Sequence, residues 1–149
     1  MSNTIYFMVL AVVAGAMMPT QAATNNKMAV VIDSPILAAF ISFFIGTLGL
    51  LVYVVASGTP LSNMWNAKDA PAVAWIGGLL GAFFVTTTVL LAPRLGVAMT
   101  FSLIVLGQML ITLIIDHFGL LGVPVQHVTL SRVAGILLVI GGVVLIRKF

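Results

Sequence analysis

Two sets of polar residues stand out in a chain that has few of them. Gln21 and Asn25 are four residues apart, close after Pro19, and Thr100, Gln108, Thr112 and Asp116 recur at multiples of four. On helices each set shares one face. Glutamine, asparagine and threonine donate and accept hydrogen bonds without charge, and Asp116 adds one anion. Such a set can hold a solute. It does not resemble a reaction centre, because no nucleophile stands with a base and an orienting group. "GGLLG" at residues 77–81 lacks the lysine and the preceding strand of a phosphate loop. There are no cysteines, and His117 and His127 lie in a short connector with no glutamate nearby. Neither a metal centre nor a cofactor is expected. The chemistry is binding, and no enzyme activity is expected.

The surroundings of these residues set the solvent. Hydrophobic residues make up 62% of the chain and charged residues 6%, against about 25% charged in soluble domains. The expected solvent is the lipid bilayer. The net charge of +3 comes from cations scattered along the chain, with only Arg147 and Lys148 adjacent. No basic patch forms, so nucleic acid is excluded as a partner.

A membrane-spanning helix needs about 20 mostly apolar residues. Five runs meet or approach this, at roughly 5–23, 36–56, 73–92, 97–115 and 131–147. They predict an all-α membrane protein in which residues 1–149 form one transmembrane domain. The first run is read as a span and not as a cleaved signal, because "MSNTIY" carries no positive charge ahead of it. It can extend past Asn25 as a longer, tilted or kinked helix. Pro19 removes a backbone donor and is expected to break or bend it.

Five spans put the two ends of the chain on opposite sides. Lys68 and Arg132 then face Lys27, Arg94, Arg147 and Lys148 across the membrane. Four cations against two is a weak bias, and insertion in both directions is expected. Small residues recur along single faces: Ala38, Ser42 and Gly46; Gly77 and Gly81; Gly135 and Gly142. Such faces let helices approach closely. Gly135 and Gly142 are expected either to pack within one subunit or to form part of a dimer contact.

Each polar residue has a plainer role beside the functional one. Gln21 and Asn25 could satisfy the backbone freed by Pro19, and Gln108 and Thr112 could join helices. Asp116 at a helix C-terminus is opposed by the helix dipole, so a cationic partner is expected, with Arg132 the first candidate. The expected substrate path comprises Gln21, Asn25, Ser42, Gln108, Thr112 and Asp116. Trp75 is added for aromatic stacking, although its place near a span start also suits an interfacial anchor.

Taken together and in order, "PTQAATN", "SFFIGT", "APRLG", "GQ" and "DHFGLLG" resemble the YdcZ-like family of the drug/metabolite transporter superfamily. The resemblance implies a five-helix half of an inverted-repeat transporter in the bacterial inner membrane. Such halves pair antiparallel, as a homodimer or with a paralogue. The glycine-marked last span is similar to the dimerising last helix of small multidrug resistance proteins. Those proteins couple to protons through a glutamate in their first helix. This chain has no glutamate and carries Gln21 and Asn25 instead, so that coupling mechanism is not implied.

The resulting expectation is alternating-access transport of a small organic metabolite or drug across the inner membrane. A small dual-topology ion channel and a non-transporting accessory subunit are the alternatives. No ring of charges or carbonyls marks a channel filter, and an accessory subunit has no use for the two polar sets.

Overall fold

The computed structural model of the chain describes residues 2–148 and is helical, with no strand among them. The elements are α1 (Ser2–Ile32), α2 (Pro35–Ala56), a 3₁₀ segment (Leu61–Asp69), a single turn α3 (Ala72–Trp75), α4 (Gly77–Leu95), α5 (Val97–Phe118), a short 3₁₀ turn (Leu120–Gly122) and α6 (Leu130–Lys148). Five stretches are long and apolar enough to cross a membrane, with α3 and α4 together forming the third.

Two compact units divide the chain, Met1–Arg94 and Leu95–Phe149. The first is built on the α1–α2 hairpin. Asp33 adopts a left-handed conformation (φ 51°), and the Ser34 N–H bonds back to the Ala29 carbonyl at 3.1 Å. This is the arrangement that closes a helix on a left-handed residue. Ser34 also caps α2, its hydroxyl accepting from the Leu37 N–H at 3.3 Å, and Pro35 occupies the first turn where its missing N–H costs nothing. Two residues thus end one helix and start the next.

Small side chains make the packing inside this unit possible. Ala29, Ala38 and Ala39 are buried together with Val85 and Val89 of α4, and Ile32 and Phe84 pack against them. The Phe43 ring lies 3.5 Å from where a side chain on Gly81 would begin. Outward-facing positions are large and apolar, including Val12, Val31 and Leu79. A water-soluble fold would bury them; here they meet lipid or protein, and close van der Waals contact of small residues drives helix association.

Pro19 does not interrupt α1, which stays helical from Ser2 to Ile32. The expected break is replaced by the loss of one internal hydrogen bond, and the adjoining turns carry side-chain support. Thr20 Oγ1 donates to the Ala16 carbonyl at 3.0 Å and Thr24 Oγ1 to the Gln21 carbonyl at 2.9 Å. Neither bond reaches the Gly15 carbonyl, which is the acceptor that Pro19 leaves without its helical donor. The helix nonetheless runs well beyond the apolar stretch that ends near residue 23.

The second unit pairs α5 with α6. Gly96 (φ 83°) precedes α5, and Gly119 (φ 61°) ends it. Beyond Gly119 the chain reverses through Leu121 and Gly122, both at positive φ. The Gln126 N–H reaches back to the Asp116 carbonyl at 2.8 Å, and the Val128 N–H donates to His117 Nδ1 at 3.2 Å. The connector is thereby tied to the last turn of α5. Ile136 and Val143, seven residues apart, are the buried positions of α6.

Candidate functional site

The polar residues singled out by spacing fall into two constellations, one in each unit. In the first unit Gln21 is exposed and borders a concavity of about 220 Å³ with Ser42, Phe43, Gly46, Thr47 and Leu50. One turn along α1, Asn25 borders a second concavity of about 180 Å³ with Thr24, Met28, Ala38, Ile41, Ser42 and Ile45. Ser42 is common to both. The four-residue spacing places the two amides along one side of the hairpin, and the α2 hydroxyl lies between them.

Asn25 is 8% exposed. Its Nδ2 is buried without a hydrogen-bond partner among the described residues. Burying an amide unpaired costs several kcal/mol in an apolar medium, of order 2–7. The side chain therefore demands a partner, and the adjoining concavity has room for one, a water needing about 30 Å³ of liquid volume. No hydrogen bond joins it to the neighbouring Thr24, whose hydroxyl donates to the Gln21 carbonyl.

In the second unit Gln108, Thr112 and Asp116 of α5 border a concavity of about 450 Å³ with Met109, Leu113, Ser131, Arg132, Gly135 and Ile136. The expected partner of Asp116 is in place: Arg132 Nη1 lies 3.2 Å from Asp116 Oδ2, with the two side chains 33% and 25% exposed. Arg132 is held from the connector as well, donating to the Gln126 carbonyl at 3.4 Å and to Gln126 Oε1. Gln126 and Ser131 carry no periodic signal in the sequence. Gln126 reaches Arg132 only because the chain reverses after Gly119.

Not every expected residue joins these sets. Trp75 lies in the single turn α3, is 62% exposed, and borders neither concavity of its unit described above. Thr100 is buried and its hydroxyl donates to the Gly96 carbonyl at 2.8 Å, so it holds the start of α5. Thr88 likewise serves its own helix, donating to the Val85 carbonyl at 2.8 Å. Gly135 borders the charged concavity, and Gly142 borders another of about 350 Å³ with Ala98, Phe101, Ser102, Val105, Val139, Val143 and Ile146. A side chain on either glycine would meet nothing within 4 Å. His117 and His127 sit ring against ring at 5.5 Å, and no third metal-binding side chain joins them among the described residues.

The constellations offer hydrogen bonds and one balanced pair of charges, which suits reversible binding. Comparison with known proteins agrees in kind: residues 6–145 match the family model described as "Putative inner membrane exporter, YdcZ". No curated protein and no solved structure matches the chain.

Proposed function

The chain belongs to the YdcZ inner membrane exporter family, a multi-pass membrane transporter family rather than an enzyme family, and from that premise we propose that it carries a small organic metabolite or drug by alternating access. The observation that carries this reading is the buried, unpaired Asn25 amide beside a concavity shared with Ser42. A polar group held without a partner at such a place is matched when a solute or water enters. Gln21 extends the same track along α1, and Gln108, Thr112 and Asp116 serve as a second set of contacts. Trp75 acts as an interfacial anchor.

Absence of native cysteine makes the test direct. Single cysteines at Gln21, Ser42, Gln108 and Thr112 are expected to react with a membrane-impermeant thiol reagent. One at Val12, which is 72% exposed on an apolar face, is expected to stay unmodified. Asn25→Leu should abolish solute movement in reconstituted vesicles while the protein remains folded. Inert cysteines at all four positions, with normal transport by Asn25→Leu, would reduce these residues to helix-joining contacts.

The working unit in this proposal is an antiparallel dimer of identical or paralogous chains. Its support is the weak charge bias between the two sides and the open Gly135 and Gly142 positions on α6. Glycines that nothing in their own chain presses against leave room for a neighbouring backbone. Replacing both with leucine should lower the yield of cross-linked dimer and leave membrane insertion intact. An unchanged yield would remove α6 from the contact.

A further inference from the structure

Asp116 and Arg132 are each placed where their own helix opposes them. Asp116 lies in the last turn of α5, where backbone carbonyls repel an anion, and Arg132 lies in the first turn of α6, where backbone N–H groups repel a cation. Each charge is held against its dipole by the other, through one contact of 3.2 Å at the edge of the 450 Å³ concavity. Gln126 takes two further Arg132 bonds from the connector side, which fixes the guanidinium when its Asp116 contact is given up.

We infer that this concavity binds a zwitterionic solute of the α-amino acid type. The solute's carboxylate meets Arg132 and the α6 N-terminus, and its ammonium meets Asp116 and the α5 C-terminus. The internal pair sets Arg132 beside the α5 C-terminus and Asp116 beside the α6 N-terminus, and a zwitterion entering between them keeps one cation and one anion at each of these ends. It also keeps the site neutral. A lone anion would take Arg132 and leave Asp116 uncompensated, and a lone cation would do the reverse; an uncompensated charge away from water is strongly unfavourable. Met109, Leu113 and Ile136 line the same space, so an apolar side chain is favoured. Gln108 and Thr112 supply neutral hydrogen bonds beside it. The volume falls within the roughly 300–1,000 Å³ of small-molecule pockets.

This inference rests on reading the chain as a carrier of small solutes. Its test is equilibrium binding to the purified full-length protein in detergent micelles, with three probes that share the leucine side chain and differ in charge. L-Leucine carries both charges, leucine amide only the cation and N-acetyl-leucine only the anion. The wild-type protein should bind L-leucine about tenfold or more tightly than either analogue. Asp116→Asn should bring N-acetyl-leucine level with L-leucine, and Arg132→Gln should do so for leucine amide. Equal binding of all three probes by the wild-type protein, or binding of none, would overturn the inference without reference to any variant. Thiol reaction at Gln21 and Ser42 does not depend on this outcome. Reactive cysteines there with no zwitterion preference would leave the proposed transport track standing and remove this site; inert cysteines with a clear preference would do the opposite.

Discussion

Gly119→Ala should destabilise the protein by about 2–5 kcal/mol, read as a loss of detergent-denaturation resistance. Two costs combine. The backbone there is left-handed, at φ 61°, which costs an L-residue about 1–2 kcal/mol. The added methyl would also stand 2.7 Å from Val125 Cγ2 and 3.4 Å from the Val123 carbonyl. Val125 belongs to the connector that carries Gln126 to Arg132, and overpacking of this kind typically costs about 1–3 kcal/mol. Val125→Ala in the same chain should recover the second cost and leave the first. Full recovery would mean that the left-handed backbone is not strained by a side chain. Gly141→Ala is the natural control: with open space around it and a helical backbone, it should be neutral or stabilise by about 0.5–1 kcal/mol.

Arg132→Leu is the second large effect expected, a loss of about 1–3 kcal/mol. Breaking a fully buried ion pair costs about 3–5 kcal/mol, and the partial exposure of both side chains lowers that figure. Asp116→Leu should cost less, because the two removals are not equivalent. Without Asp116 the guanidinium keeps both of its Gln126 acceptors, whereas without Arg132 the carboxylate loses its ion-pair partner and Gln126 loses the guanidinium that ties it to α6. Proteolysis within residues 119–129 should accelerate for Arg132→Leu more than for Asp116→Leu. Equal effects in both measurements would show that Gln126 contributes nothing to holding the connector.

The architecture was legible in the sequence because its signal is redundant: about 20 apolar residues in a row do not need any one of them. The Asp116–Arg132 pair was legible for a local reason, since an anion at a helix C-terminus calls for a cation and the next span begins with one. The polar pairs could be placed on common faces from spacing alone. The reach of α1 to Ile32 was less visible. It depends on the helix passing through Pro19 without a break and on Asp33 accepting a left-handed conformation at its end, neither of which alters hydropathy. Gln126 was invisible, because its position follows from the left-handed residues Gly119, Leu121 and Gly122 and not from periodicity. Thr100 was misleading: it fits the four-residue stripe, yet its hydroxyl serves the backbone at Gly96.

The length of α1 orders the polar track by depth. Thirty-one residues at 1.5 Å each make a rod of about 46 Å, close to the full thickness of a bilayer with its headgroups and well over the roughly 30 Å of hydrocarbon. The tight turn at Asp33 and Ser34 fixes the other end of the scale, because α2 has only 22 residues in which to recross. Counted back from Ile32, Lys27 then lies about 8 Å in, Asn25 about 11 Å and Gln21 about 17 Å. With about 8 Å of headgroup layer on each side of a 30 Å hydrocarbon core, Lys27 would lie at the hydrocarbon boundary, Asn25 a few Å inside it and Gln21 deeper still. A solute arriving from the hairpin side would meet a cation, then a buried amide, then an open one, shedding its water in stages. Such a ladder is sensitive to the thickness of the host membrane: in a thicker bilayer Lys27 is drawn from the boundary toward hydrocarbon and Asn25 lies deeper, so entry slows.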